Sequence, residues 1–418
     1  MTKRIFVFST IFALLLVGIA FIGYQFLGGQ GEIAPDDIAT YNNEDPTTYP
    51  EPTPSPQEEE PEPDNEPEIS QDPPMYDPPA EDDPFLDYQG DTSSPWHPIH
   101  FRDIRAPHHL DADTPHGYIS VRHIQHMNDH YYSRFPFSYQ EKRAAAWIVG
   151  ELLAMGYNWD DIEVQEFDIY DMGRDSTFLN WMHNIAVYHD YDYMRYTYTS
   201  QNVILTVPGQ SDQILVVGAH YDTVLYPGAS DNASGTALLL ESAQRMLNID
   251  NYYTIIYIFF GAEEVGLLGA HYFVDTLPDE IFDRIVFMVN ADVLFEGPYF
   301  IFGGGYQPPG TGRVARANDI TRQWESIAEE LNNSHDLALI NYPPAIFLSS
   351  DQRVFLEAGL TVMMLFGADF DAQGGHHFWV LHSYRDCFHY IMERWPYKIE
   401  DSMRTFSIFL EEVLLARY

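Results

Sequence analysis

The chain of 418 residues holds a single cysteine, Cys387, so it can close no disulfide within itself. Packing and hydrogen bonding must carry the fold. Cys387 reads as a small packed residue, because no helix N-terminus or partner base is evident to activate its thiol. Positive charge is scarce too: 21 Lys and Arg stand against 63 Asp and Glu, a formal net charge of −42. No lysine or arginine occurs between Arg4 and Arg102. Nucleic-acid binding needs a basic footprint, so no nucleic-acid partner is expected. The surplus negative charge reads instead as solubility and self-repulsion. Internal repeats are absent.

One stretch lacks charge altogether. Ile5 to Leu27 is mostly apolar, follows Lys3-Arg4, and is long enough to span a bilayer as a helix. A cleaved signal peptide has a shorter apolar region of about 7–15 residues and a small-residue cleavage site. Gly28-Gly29-Gln30-Gly31 offers a weak one. We therefore expect a signal anchor at 5–27, with residues 1–4 cytoplasmic and the bulk outside the cell. Cleavage would make the protein secreted. No cysteine follows the span, which excludes a lipoprotein-type anchor. Export without disulfides suits a core large enough to need no staples.

Residues 28–95 read as a disordered acidic linker. From Gly31 to Pro95 there are 20 acidic residues, interleaved with runs such as Pro50-Glu-Pro-Thr-Pro-Ser-Pro56. Such a segment cannot bury enough apolar surface to offset its ordering entropy. As a flexible coil it would hold the next domain roughly 45 Å from the membrane.

The remainder is rich in what a core needs, in a chain that is 45% hydrophobic and 15% aromatic. One domain over 96–418 is expected, because its motifs interleave with its core elements. Helical spacing covers Ser120 to Asn128 and Ser138 to Met155, with Gly156 as a stop. Asp161 to Phe167 alternates like an edge strand, and Asn202 to Val207 reads as another strand. Further helices are expected over Ser234 to Leu247, Leu267 to Phe273 and Arg316 to Leu331. Alternating strands and helices imply a mainly parallel or mixed sheet covered on both faces.

Three buried, strand-like runs each end in metal-ligand side chains. Ile214 to Ala219 leads into His220-Tyr-Asp222, Tyr253 to Ala262 into Glu263-Glu264, and Ile285 to Ala291 into Asp292. Buried carboxylates at a sheet rim are costly unless a cation lies between them. That rim is where open α/β sheets bind ligands. Asp222 could receive the second ring N–H of a metal-bound His220. Asp231, in Gly228-Ala-Ser-Asp231-Asn-Ala-Ser-Gly235, is either a helix cap or a ligand. Neighbouring Glu263 and Glu264 cannot both face one way on extended backbone, so one can ligate while the other acts as base. With His220, Asp231, Glu264 and Asp292 the donors are oxygen and imidazole, which suits zinc, manganese or cobalt.

These motifs closely resemble the M28 family of zinc aminopeptidases. Ser350-Asp351 and His382-Ser-Tyr-Arg-Asp386 match its C-terminal signature, and Arg143-Ala-Ala-Ala-Trp147 through Tyr157 resembles its opening helix. The resemblance covers about 118 to 415. It implies a three-layer α/β/α sandwich around a mixed, mostly parallel central sheet of about eight strands. It implies two zinc ions, one held by His220 and Asp292, the other by Glu264 and His382, with Asp231 bridging. Asp222 would orient His220. Glu263 would be the general base, taking a proton from water and returning it to the leaving amine. The substrate would be the N-terminus of a peptide or protein, anchored by its free α-amino group.

Two departures bear on this. Gln352 stands where the family often has histidine, and the loop from Ala368 to Leu381 contains His376-His377, rivals to His382. The downstream spacing of Ser383 and Asp386 favours His382. Tyr342 is a candidate oxyanion donor. The histidines His108, His109, His123, His126 and His130 read as core or solvated residues rather than a second metal site. Two alternatives remain: a one-zinc glutaminyl cyclase or other amidohydrolase of the same clan, and a non-catalytic receptor-like ectodomain. The interval of 11 residues from His220 to Asp231 favours the aminopeptidase branch, and retention of Glu263 argues against a receptor. Oligomeric state is not legible.

Overall fold

The run Ile214-Leu-Val-Val-Gly-Ala-His220 is buried at every position, as expected of a strand covered on both faces. In a computed structural model, described over residues 114–170, 199–308, 315–342, 350–370 and 376–418, it is the third of nine strands. The expected anchor at 5–27, the linker at 28–95, the domain start at 96 and His108-His109 lie outside the described residues. Among the described residues, no helix is long and apolar enough to cross a membrane.

The chain opens with α1 (Tyr118–His130) and α2 (Tyr139–Met155). Ser138 caps α2 by accepting from the Glu141 N–H, a contact worth about 1 kcal/mol, and Gly156 ends it in the left-handed region. Strands β1 (Ile162–Asp168), β2 (Thr199–Val207) and β3 (Ile214–His220) follow. Then come α3 (Ser234–Met246), β4 (Thr254–Phe260), α4 (Leu268–Thr276), the short α5 (Asp279–Phe282), β5 (Ile285–Ala291) and β6 (Tyr299–Gly305). The last part runs α6 (Asp319–His335), β7 (Leu339–Tyr342), α7 (Gln352–Glu357), β8 (Val362–Phe370), β9 (His376–His377), α8 (Phe388–Arg394) and α9 (Lys398–Leu415). Helix α6 starts three residues later than the expected Arg316, because Asn318 accepts from the Thr321 N–H and sets the cap there.

The sheet order is β1-β2-β4-β3-β5-β8-β6-β7, with β9 pairing β8. The four central strands β4, β3, β5 and β8 run parallel, as do β6 and β7. The other pairings are antiparallel, so the sheet is mixed, with its parallel part in the middle. Strand β4 lies on one side of β3 and β5 on the other. The chain therefore reverses direction across the sheet beside β3, and the crevice at such a point is where ligands sit.

Alternation along the strands makes the three layers. Leu215, Val217, Ile255, Tyr257, Phe287 and Val289 pack on one face with Trp147, Leu239, Trp324 and Phe409 from α2, α3, α6 and α9. Val216, Ile256, Ile258 and Met288 point to the other face and meet Phe273 and Phe355 from α4 and α7. Truncating a fully buried ring such as Phe287 would cost about 3–5 kcal/mol. That rigidity fixes the ends of β3, β4 and β5 relative to one another.

Candidate active site

His220 closes β3 and is 1% exposed. Its Nε2 lies 3.2 Å from Asp231 Oδ1 and 3.2 Å from Asp292 Oδ1. Nδ1 lies 3.5 Å from Asp222 Oδ1 and 3.2 Å from the Asp222 main-chain oxygen. The second oxygen of Asp231, Oδ2, is 2.9 Å from His382 Nε2, which is also 3.2 Å from Glu264 Oε2. One carboxylate thus faces two imidazoles, one through each oxygen. Donor atoms of His220, Asp231 and Glu264 converge within 4.8 Å of one another, as do those of His220, Glu263 and Asp292.

The local sequence explains this arrangement. Gly228 has φ 58°, and a side chain there would collide with the Asp231 carbonyl. Gly235 lets α3 approach β5, since a Cβ would strike Ala291 O and the Asn232 amide. Asp231 sits outside the helix, at a cis peptide bond to Asn232. The capping contact belongs to Asn232, whose Oδ1 accepts from the Gly235 N–H at 2.8 Å. The cap reading of Asp231 is therefore set aside. The glutamates follow β4 in a turn rather than on extended backbone, and each enters a different group of donors.

His382 stands in the left-handed region at φ 53° and faces solvent on one side. His376 and His377 pair with Phe370 and Asp369 in the β8–β9 ladder, and His377 is exposed. Tyr342 stacks on Phe370 with ring centroids 5.2 Å apart. Gln352 accepts from the Asn290 amide at 2.9 Å and so buttresses the end of β5. His123 and His126 pack around Trp147 in the core, with centroids 5.6 and 5.3 Å away.

Further residues shape the site: Glu141 and Arg134, which the sequence did not single out, and Asp351 and Asp386, which it offered only as parts of a motif. Glu141 accepts the Ala262 N–H at 3.0 Å, while Asp222 accepts those of Glu263 and Glu264, both at 3.1 Å. Asp386 accepts the N–H groups of Ser230 at 2.6 Å and Asp231 at 3.0 Å. Arg134, fully buried, donates to main-chain carbonyls on either side. Asp351 is fully buried with neither carboxylate oxygen hydrogen-bonded. No spacing rule finds the contacts of Glu141, Asp386 and Arg134, because each pairs a side chain with distant backbone.

Electrostatics follow from crowding. Burial pushes the Glu263 carboxyl well above the usual range; His220 opposes this, while Asp351, Glu264 and Asp292 add to it. Burial and then Asp231 push Glu264 up to about 7. Burial alone would keep His220 neutral, but Glu263 and Asp292 drive its pKa well above the ordinary value. So many carboxylates around two imidazoles call for a cation. Glu264 Oε1 is buried without a hydrogen-bond partner, an oxygen left over for one. The donor set of imidazole and carboxylate fits zinc.

Residues 202–407 match Peptidase family M28. This stretch belongs to that family. The chain is 41% identical over 100 residues to aminopeptidase YwaD of Bacillus subtilis (strain 168), a stretch covering 23% of this chain and 22% of that one. It is 26% identical over 275 residues to the alkaline phosphatase isozyme conversion protein of Escherichia coli (strain K12), 62% of this chain and 74% of that one. Against a probable lipoprotein aminopeptidase of Mycobacterium tuberculosis, LpqL, identity is 35%, over 27% of this chain and 24% of that one. The chain thus spans about a quarter or less of the length of two of these three curated relatives. Among solved structures, a zinc aminopeptidase from Bacillus subtilis superposes with a TM-score of 0.55 at 18% identity, covering 73% of this chain and 96% of that one. A Zn-dependent exopeptidase from Parabacteroides distasonis gives 0.52 at 16%, covering 75% and 100%. The α/β/α architecture is therefore that of the zinc aminopeptidases.

Proposed function

We propose that this M28 peptidase is a zinc-dependent aminopeptidase that removes N-terminal residues from peptides. The observation that carries the reading is Asp231, with one oxygen toward His220 and the other toward His382. On this reading His220 and Asp292 would hold one zinc ion and Glu264 and His382 a second, with Asp231 available to both. When bound, zinc supplies Lewis-acid activation of a water and of the scissile carbonyl.

The chain's own groups do the rest. Glu263 stands beside His220 and Asp292 and serves as general base, accepting a proton from the attacking water. It then returns that proton to the leaving amine. Asp222 holds the turn bearing Glu263 and keeps the His220 ring in place. The surplus of carboxylates suits a substrate with a free α-ammonium. We further propose that residues 5–27 tether the enzyme outside the cell membrane through the acidic linker, which is supported by the uncharged apolar run alone.

A panel of aminoacyl chromogenic amides, an N-acetylated control and a peptide with N-terminal glutamine tests this. Cleavage of the free amides, blocked by N-acetylation and by chelation, is expected. Cyclisation of the glutamine peptide without amide cleavage, or no turnover of any substrate by zinc-loaded protein, would contradict it.

A further inference from the structure

The segment Pro227 to Asp231 carries the carboxylate that faces both imidazoles, and its backbone is gripped from two sides by opposite charges. Arg134 donates to the carbonyls of Pro227 at 2.7 Å and Gly228 at 3.1 Å. Asp386 takes the next groups along: its main-chain oxygen accepts the Ala229 N–H at 3.3 Å. Its carboxylate accepts the N–H groups of Ser230 and Asp231 at 2.6 and 3.0 Å. Polarity is matched throughout, a cation on carbonyls and an anion on amides.

Each clamp also holds a second station. Arg134 Nε donates to the carbonyl of Tyr221, the residue between His220 and Asp222, at 2.5 Å, and its own carbonyl accepts the Thr223 N–H at 3.1 Å. Asp386 closes the turn that directly follows His382, with its N–H on Ser383 O at 2.9 Å. Arg134 therefore ties the His220 strand end to the Asp231 segment, and Asp386 ties the His382 turn to it. Both side chains are buried, Arg134 at 0% and Asp386 at 2% exposure. A buried guanidinium placed on backbone carbonyls is costly unless its planar fork is well used. Here it sits behind the anionic cluster without entering it.

We infer that Arg134 and Asp386 are positioning residues that set the spacing of the metal-binding groups, so that zinc affinity depends on them although neither touches the ion. This rests on the zinc reading proposed above. Groups that orient ligands are typically worth 10–100-fold in metal affinity.

The test is zinc competition with a chromophoric chelator on the folded protein, for wild type, Arg134→Lys, Asp386→Asn and Glu241→Gln. Lysine keeps the charge but cannot span the carbonyls of both segments. Asparagine keeps the size of Asp386 but presents an N–H to one of the two amides. Glu241→Gln loosens the α1, α3 and α9 junction away from the site, so it reports what general destabilisation alone does to zinc. Expected is a loss of affinity of at least about tenfold in both site variants and within about twofold of wild type in the control. Hydrogen exchange of the peptide spanning 227–233 should rise in the two site variants only. Should the lysine variant be recovered unfolded, Asp386→Asn alone decides. Affinity unchanged in the site variants, or reduced equally in all three, overturns the inference while leaving the zinc reading intact. Wild-type protein that holds no zinc overturns both.

Discussion

Asp222 Oδ1 accepts the main-chain N–H of Glu263 at 3.1 Å, so a carboxylate at the end of one strand holds the backbone that follows another. Its other oxygen does the same for Glu264. Asp222 thus bears on three groups at once, the two glutamates and the His220 ring. In Asp222→Asn the amide can accept from only one of the two N–H groups and leaves the other facing a donor. We expect kcat to fall about 10–100-fold on an aminoacyl amide, and the unpaired N–H to cost about 1–3 kcal/mol in urea unfolding.

Glu241 is the corresponding anchor of the scaffold. Fully buried, it accepts from the Gly117 and Ser120 N–H groups at the start of α1, from Ser407 on α9, and from Arg245 one turn along α3. Glu241→Gln should cost about 2–3 kcal/mol in urea unfolding without changing turnover per folded molecule. A loss of activity larger than the loss of folded protein would show that α1 acts on the site.

Acid should weaken the fold through α1. Burial, with a smaller contribution from His126, depresses the His123 pKa to about 3. The ring is then neutral in the native state while an unfolded histidine titrates near 6.5. Below that value the unfolded chain binds the extra proton. Stability is therefore undiminished above about pH 6.5 and is lost progressively as pH falls toward 3. His123 Nε2 has no hydrogen-bond partner, so an apolar replacement is tolerated there. In His123→Leu the slope of stability against pH between 4 and 6 should be shallower by about 1.4 kcal/mol per unit.

Much of the scaffold was legible because it rests on local pattern. Ser138 and Gly156 bracket α2 as their residue types require, and the apolar runs of β3, β4 and β5 are strands. Most site residues were legible for a related reason. His220, Asp222, Glu263, Glu264 and Asp292 lie at or just after the ends of those runs, and Asp231 in a glycine-flanked turn. His382 was legible only through the C-terminal motif it shares with the family. What escaped notice is long-range. Strand β6 is hard to see in Tyr299 to Gly305, because its last three residues are glycines and carry no side-chain alternation. Arg134 and Glu141 lie in sequence beside the start of α2 but act at the ends of β3 and β4. Nothing in their neighbours announces that. Asn232 took the cap role that type alone also allowed for Asp231, because the chain leaves helical geometry at that point.

Removing metal should cost stability as well as activity, since Asp231, Glu263, Glu264 and Asp292 would then repel one another with only the imidazoles between them. Zinc at a hundred times its dissociation constant should raise the unfolding free energy by about 2.7 kcal/mol per bound ion over the chelated protein. Equal stability with and without zinc would contradict a site formed by the folded chain.

The most direct measurement is turnover of Glu263→Gln alongside its zinc content. Glutamine keeps the shape of the side chain but can neither take nor return a proton. Zinc near two per chain, as in the wild type, is expected, with amide hydrolysis reduced by about 100-fold or more. A variant that holds its zinc and still turns over at the wild-type rate would remove Glu263 from the mechanism.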